Sequence, residues 1–484
     1  MLYLATKASM QAFDAIWYAI KVEYGSFEDM FHPHHLLHMP LVWVLRRVLS
    51  LLLIEVRAID IAQILSALAG AGAVVFFRRI LSGLGRPEFF SYAGAIIYGS
   101  SGALWHEATD GEPYAIAVFF SAAAIYFGLF GDTRAARLLG GFLAGLAICF
   151  HQESVVLVLV PIFVWLISNR EARLNLKTGI FAGTAAAVAL AVQFGAFIAL
   201  KPMDLRSLGR WIFHYPIWMS SYLEFSNAPM RDSLRGLTMN VVFSKLSFFP
   251  ARYLLYFLMV ILAYIVYCWI SRRGRLENQP LFALFLASFL GGAFAFWWDP
   301  YNHKFWMFPF FSALLLSLSV LRVPAPRAVL SCLAAILLLS NLGLRFIWRA
   351  VDECNVYQAS LASVSEMEKG AWIVFATVDE RLQAQMIYFG GYHRTANPVQ
   401  FGLSSSPKQT ESAIRRGDPI YMFLSRNDLN QKIKSYFDGR MPQKERAFWE
   451  RFKIELSPEF PLPDGRHGFH RLRLRDGDQP SDSP

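Results

Sequence analysis

Residues 58–79 read AIDIAQILSALAGAGAVVFFRR, an apolar run that ends in two arginines. The run from Ala58 to Phe77 is long enough to cross the roughly 30 Å hydrocarbon core of a bilayer as one helix. Arginines at the end of such a run are typical of its cytoplasmic boundary, because loops on that side carry an excess of basic residues. The stretch therefore predicts a membrane-spanning helix.

Similar runs recur along the chain and predict an α-helical polytopic membrane protein of about ten spans. Met1 to Ala5 resembles the last turn of an additional first span, so we expect a stub of that helix. The first outer loop then covers 1–57 and the transmembrane helical domain 58–347. The further runs are 89–104, 113–130, 138–150, 154–168, 178–200, 250–270, 280–297, 305–321 and 328–347.

The segment 36–53 departs from this pattern, because Arg46 and Arg47 lie in the middle of its apolar run. Charged side chains at the centre of a span are costly. We expect this segment to form a helix in the outer membrane interface, with its apolar face towards the lipid.

The composition excludes a soluble enzyme and a nucleic-acid-binding protein. The 484 residues are 55% hydrophobic and 17% charged, where soluble proteins carry about 25% charged residues. The net charge of +10 is spread over short loops between apolar runs, so we expect no nucleic-acid partner. Basic loops alternate with loops rich in acidic and aromatic residues, which predicts a bacterial inner-membrane protein whose C-terminus lies outside the cytoplasm.

The composition changes after the last apolar run. Residues 372–375 (WIVF) and 419–424 (PIYMFL) have the pattern of short buried strands, and turn residues lie between them. We expect a small extracytoplasmic α/β domain at 352–476, followed by a disordered tail at 477–484.

Polar residues gather at the outer ends of the predicted spans. Ionisable side chains at membrane depth normally face a cavity or one another, so these ends are expected to converge on one cavity. The candidate site residues are Asp14, His34, His35, Glu107, Asp110, Glu112, His151, His303 and Lys304.

A recurring pattern connects several of these residues. Asp14 in the first outer loop is followed by a His-Pro-x-x-Leu-Leu segment at 32–37 and, two spans later, by Trp105 and Glu112-Pro113-Tyr114. The pattern resembles the GT-C membrane glycosyltransferases, particularly the protein O-mannosyltransferase and aminoarabinose-transferase branch. The segment 141–147 before His151 is similar to them too, and the resemblance covers residues 14–321.

The resemblance implies transfer of a sugar from a polyprenyl-phosphate-linked donor to an acceptor that the sequence does not identify. The donor and the membrane lipid are therefore the expected partners. It implies that Asp14 is the catalytic base, with Glu112 as the second catalytic candidate. The phosphate would be bound by His34, His35, His303 and Lys304, and Glu107, Asp110 and His151 would contact substrate. The segment reads His-Pro-His-His where the commoner pattern is His-Pro-Pro, which weakens the assignment of phosphate binding to it.

Each candidate also has a structural interpretation. A carboxylate near a helix start interacts favourably with the helix dipole. A lysine at the membrane interface can extend its amine to water. A buried histidine can contribute to packing alone. These alternatives are capping or solvation for Asp14, capping for Glu112, solvation for Glu107 and Asp110, a core histidine for His151 and an interfacial position for Lys304.

Two other functions remain open from the sequence. A transporter or flippase of lipid-linked or small polar substrates is the main alternative, although such proteins need polar groups near the midplane and usually related halves. A zinc enzyme is the other: His34 and His38 are four residues apart, and 106–110 (HEATD) approaches His-Glu-x-x-His with Asp110 in place of the second histidine. Because no ligand motif is complete, we expect no required metal or cofactor.

Overall fold

The computed structural model describes most of residues 1–200 and several later segments. Two compact units contain them: Met1–Ala8 with Tyr18–Arg345, and Ser9–Trp17 with Phe346–Pro484. The predicted span 250–270 and the predicted tail 477–484 lie outside the described residues. The described ranges are 1–8, 11–32, 34–168, 174–200, 239–240, 279–298, 302–320, 327–350, 360, 362–364, 366–367, 371–375, 387–389, 400–403, 419–425, 452–454, 460–461 and 467–474.

The described part of the first unit is helical, and most of its helices coincide with the predicted apolar runs. Short 3₁₀ turns at Phe27–Met30 and Gln152–Ser154 complete it. The helices are α1 (Leu2–Ala5), α2 (Phe13–Tyr24), α3 (His38–Leu51), α4 (Ala58–Gly83), α5 (Glu88–Gly99), α6 (Gly102–Asp110), α7 (Tyr114–Phe130), α8 (Arg134–Phe150), α9 (Val155–Ser168), α10 (Leu174–Leu200), α11 (Gln279–Trp298), α12 (His303–Val320) and α13 (Arg327–Ala350).

Three of the described helices are long and apolar enough to cross a membrane: Ala58–Gly83, Thr178–Ile198 and Gln279–Trp297. A fourth span results if α6 and α7, which meet at a bend of 117°, are counted together. Large apolar side chains project from these helices into the surroundings, including Leu68, Phe194 and Phe289. Exposed apolar surface on this scale is unsuited to water and fits contact with lipid.

The predicted span 89–104 is wrong in its boundaries. The chain forms α5 to Gly99, breaks at Ser100 and Ser101, and resumes as α6. Residues 105–110, which directly follow the predicted span, belong to α6 and are buried. Gly111 ends α6 with φ of 99°, a left-handed conformation that glycine adopts without the steric penalty of a Cβ.

Carbonyl groups freed at these breaks receive hydrogen bonds from side chains of other helices. The Tyr3 hydroxyl donates to Gly99 O at 2.6 Å, and Asn341 Nδ2 donates to Ser100 O at 2.6 Å. After α6, Ser66 Oγ donates to Glu112 O at 3.0 Å. Non-helical backbone at membrane depth is tolerated where the protein satisfies its polar groups, so these contacts hold α6 in its bent position.

Helix α3 lies within the segment that was predicted to lie in the membrane interface. Met39 and Val42 are buried, whereas Val44, Val48 and Leu51 are exposed. The helix therefore has one face packed on the protein and apolar side chains on the other, as an interfacial helix requires. Its position in the membrane stays a prediction.

Aromatic rings and small residues form the core of the first unit. Phe77 of α4 stacks on Tyr98 of α5 at a centroid distance of 4.6 Å, and Phe311 of α12 contacts both rings edge-on. Gly70 of α4 lies against Ala108 of α6, with no room between them for a Cβ. Small residues at such contacts allow two helix backbones to approach closely.

Replacing Gly70 with alanine is expected to destabilise the protein by about 1–3 kcal/mol, the usual cost of overpacking a core. The new Cβ would lie 2.6 Å from Ala108 Cβ, so α4 and α6 would have to separate. Gly183→Ala is the control, because no heavy atom lies within 4 Å of the added Cβ and alanine is favoured inside a helix by roughly 0.5–1 kcal/mol. Thermal unfolding in detergent should shift in opposite directions for the two variants, and equal shifts would contradict the packing.

The described residues of the second unit contain a mixed sheet. Its strands are β1 (Trp372–Phe375), β2 (Gln400–Leu403), β3 (Ile420–Ser425), β4 (Phe452–Ile454), β5 (Phe460–Pro461) and β6 (His467–Leu474). The order is β2-β1-β3-β6-β4, with β5 also paired to β6; β1 is parallel to β2 and β3, and β6 is antiparallel to its neighbours. Both predicted strands are confirmed, and their side chains Ile373 and Tyr421 are buried. The α/β domain as a whole stays a prediction.

Candidate active site

A buried ion pair lies where α12 begins beside the bend between α6 and α7. Lys304 Nζ is 2.6 Å from Glu112 Oε1, and the two residues are 192 positions apart in the chain. Glu112 is 1% exposed and Lys304 is 8% exposed. Asn240 Nδ2 donates to His303 O, and the Lys304 amide donates to Asn302 Oδ1. These two hydrogen bonds fix the first turn of α12. The pair therefore has a defined geometry away from water.

A second buried cluster lies next to this pair. Glu107 Oε1 is 3.2 Å from His106 Nδ1 and 3.5 Å from His303 Nε2, and its side chain is fully buried. The two imidazole rings meet edge to face at a centroid distance of 4.9 Å. Because His303 and Lys304 are consecutive, the Glu107 cluster and the Glu112 pair form one continuous polar region.

A third group of rings completes this region. His151 lies between Tyr114 at 4.4 Å and His35 at 4.9 Å, measured between ring centroids. Lys304 Nζ lies 5.7 Å from the centroid of the Tyr114 ring. Tyr114 thus connects the histidine rings to the ion pair, and its position at the start of α7 follows from the bend at Gly111.

Three buried histidines of the first unit, His35, His38 and His151, are uncharged near neutral pH. Burial lowers the pKa of His151 to about 3 and that of His38 to about 4. Burial, with the neighbouring histidines as a smaller cause, lowers the pKa of His35 well below its ordinary range. A neutral imidazole has one N–H donor and one acceptor nitrogen, so these rings can hydrogen-bond a sugar or phosphate without adding positive charge.

We expect acid to destabilise the protein partly through His38, whose folded-state pKa of about 4 lies below the ordinary 6.5. Stability is complete above pH 6.5 and is lost as the pH falls towards 4, because only the unfolded state binds the proton in that window. A shift of this size corresponds to about 3 kcal/mol. The melting temperatures of the wild type and of His38→Gln are measured in detergent as a function of pH. Above pH 6.5 the difference between them should be constant, and below pH 6.5 the two curves should converge or cross. Parallel curves would contradict the prediction.

The structure brings together six of the nine predicted site residues: His35, Glu107, Glu112, His151, His303 and Lys304. The solvated interpretation of Glu107 and Asp110 is wrong, because both side chains are buried within α6. His34 lies beside this group, with its ring 6.4 Å from that of His35. Asp14 is exposed in the first turn of α2 and groups with the second unit, so its catalytic role stays a prediction.

Three residues of the region were missing from the predicted site. His106 was noted only as part of an incomplete metal motif, Tyr114 only as part of the family-like pattern, and Asn240 not at all. The signal for His106 was available, since it directly precedes Glu107, which was selected as a site residue. Asn240 gives no such signal, because the residue to which it donates a hydrogen bond is 63 positions away.

Comparisons with known proteins agree with this architecture. A family model described as the protein O-mannosyl-transferase TMEM260 N-terminal domain matches residues 32–176. The crystal structure of ArnT from Cupriavidus metallidurans bound to undecaprenyl phosphate superposes with a TM-score of 0.55, at 10% identity over 99% of this chain and 96% of that chain. The chain has the GT-C fold. The GT-C fold and the apolar helices make it a multi-pass membrane protein.

Another GT-C enzyme, the Archaeoglobus fulgidus oligosaccharyltransferase in complex with Zn and sulfate, is similar at 11% identity over 96% of this chain and 70% of that chain. Its TM-score of 0.42 is too low for any structural inference. No curated protein sequence matches the chain. The GT-C assignment therefore rests on the family model and on the likeness to ArnT.

Proposed function

We propose that this protein is a glycosyltransferase that moves a sugar from a polyprenyl-phosphate-linked donor to an acceptor at the outer face of a bacterial inner membrane. The observation that carries the proposal is the buried Lys304, which lies near the uncharged rings of His35 and His151 on a fold similar to that of ArnT, crystallised with undecaprenyl phosphate. A buried cation surrounded by hydrogen-bonding groups suits a lipid phosphate.

Lys304 is proposed to bind the phosphate that leaves during transfer. In the described state its charge is matched by Glu112 at 2.6 Å. A phosphate that enters the site brings further negative charge to the same amine. Lys304 then interacts with both the Glu112 carboxylate and the phosphate. As the bond from the anomeric carbon to the phosphate oxygen breaks, charge develops on that oxygen, and a nearby ammonium group stabilises it.

Asp14 is proposed to accept the proton of the acceptor. The acceptor hydroxyl or amine attacks the anomeric carbon, its proton passes to the carboxylate, and polyprenyl phosphate departs with the electron pair of the broken bond. The neutral rings of His35 and His151 and the hydroxyl of Tyr114 are proposed to orient the sugar and phosphate. The second unit, which contains Asp14 and the sheet, is proposed to lie outside the cytoplasm and to guide the acceptor.

The test measures phosphate recognition on the purified full-length chain in detergent. Undecaprenyl phosphate is expected to raise the melting temperature, since a ligand at about 100 times its Kd stabilises by about 2.7 kcal/mol. Undecaprenol, which has the same lipid chain and no phosphate, is the matched control and should stabilise much less. Equal stabilisation by the two lipids would contradict the proposed phosphate site.

Transfer itself is then measured with a panel of radiolabelled polyprenyl-phosphate sugars in membranes that contain the chain. The expected result is loss of label from the lipid fraction and its appearance in an acceptor fraction. Movement of intact lipid-linked sugar across a sealed vesicle without cleavage would instead indicate a flippase.

A further inference from the structure

We propose that His106, Glu107 and His303 form a binding site for one divalent transition metal of the zinc class. These residues come from two helices, α6 and the start of α12, and all three are buried. The proposal goes beyond the proposed function, which assigns no role to a metal. It differs too from the sequence prediction, in which no metal was required.

The two distances from Glu107 Oε1 to the histidine nitrogens fit a tetrahedral metal site. Zinc binds histidine nitrogen at about 2.0–2.1 Å and carboxylate oxygen at similar lengths, so two ligands on a tetrahedron are about 3.3–3.4 Å apart. Glu107 Oε1 lies 3.2 Å from His106 Nδ1 and 3.5 Å from His303 Nε2. All three ligand atoms lie within 4.8 Å of one another. A single ion can therefore contact them with little movement of the side chains.

Hydrogen bonding between the imidazoles and the carboxylate is the rival explanation for these contacts. Within the described part of the chain, neither oxygen of Glu107 accepts a hydrogen bond of good geometry. The distances are short, but the directions are not those of N–H groups aimed at an acceptor. A metal removes this conflict, because nitrogen and oxygen lone pairs would all be directed at the ion.

The charges of the region favour a cation as well. The Lys304 ammonium is paired with Glu112, whereas the carboxylate of the fully buried Glu107 has the imidazoles of His106 and His303 within 3.5 Å. A buried carboxylate normally needs a paired charge or a metal. A divalent ion would supply that charge and would keep a fourth position for an oxygen ligand, which is the usual arrangement at two-histidine, one-carboxylate zinc sites.

The experiment measures metal content of the full-length chain in detergent. The protein is dialysed against Zn²⁺ and free metal is then removed. Elemental mass spectrometry of this sample should find about one zinc ion per chain. Co²⁺ in place of Zn²⁺ should give the visible absorption of a four-coordinate ion. Wild-type protein that folds normally and yet binds neither metal would overturn the proposal.

Variants locate the ion without any measurement of activity. His303→Ala and Glu107→Gln each remove one ligand and should weaken zinc binding by more than the 10–100-fold typical of an outer-shell change. His38→Gln is the matched control, since it removes a buried imidazole of the same unit and should leave zinc binding unchanged. If only His38→Gln lost zinc, the ion would be bound by the His34–His38 pair, and the proposed site at His106, Glu107 and His303 would be rejected. If a ligand variant fails to fold, the wild-type zinc content and cobalt spectrum still decide the proposal.

Discussion

Replacing Lys304 with methionine is expected to destabilise the protein by about 3–5 kcal/mol, because the buried Glu112 carboxylate would lose the ammonium group that balances its charge. The same change is expected to lower sugar transfer by about 10²–10³-fold, the usual effect of removing one stabilising group from a developing oxyanion. Melting temperature and the rate of transfer are measured on the same preparation, so that a loss of folded protein is not mistaken for a loss of chemistry.

The double variant Lys304→Met with Glu112→Gln separates the two effects. Neutralising both members of a buried pair is often close to neutral for stability, so the double variant should recover most of the lost melting temperature. It should not recover transfer, because the cation proposed to face the phosphate is still absent. Recovery of both properties would mean that Lys304 serves only to balance Glu112, and the phosphate-binding role would be abandoned.

Helices whose apolar runs are bounded by strong signals could be predicted from the sequence. Helix α7 was predicted as 113–130 and begins at Tyr114, because Pro113 marks its start and the apolar run ends before Gly131. Helix α8 was predicted from Leu138 but begins four residues earlier, at Arg134. Side-chain capping by Thr133 explains the earlier start, since its hydroxyl accepts a hydrogen bond from the Ala136 amide.

The break between α5 and α6 could not be predicted in the same way. Gly99 to Gly102 reads Gly-Ser-Ser-Gly within an apolar run, and such residues are common inside transmembrane helices. What makes the break stable is a set of donors from distant residues, such as Tyr3 and Asn341. Local sequence carries no information about those partners.

The sequence predicted several of the residues that belong to the site, but it did not predict which of them contact one another. The position of His303 and Lys304 before an apolar run indicated the outer end of a span, and this is why they were selected. Their partners Glu107 and Glu112 are almost 200 positions away, and the pairs form only because α12 packs beside the bend at Gly111. Burial of the stretch 105–110 is likewise a tertiary effect, because its composition alone is typical of a solvated loop.

The exposure of Asp14 in the first turn of α2 bears directly on its proposed role. A carboxylate that faces solvent can meet an acceptor that arrives from outside. Asp14→Asn preserves the shape of the side chain and removes the base. It is expected to lower transfer by about 10²–10⁴-fold, the usual contribution of general-base catalysis.

Donor binding should persist in Asp14→Asn, because stabilisation by undecaprenyl phosphate depends on Lys304 and not on Asp14. Glu28→Gln is the matched control: Glu28 is also exposed in the first predicted outer loop, and its replacement should leave transfer within the error of the assay. Near-normal transfer by Asp14→Asn would exclude Asp14 as the base, and the search would then move to Glu112, whose carboxylate Lys304 already holds in the buried site.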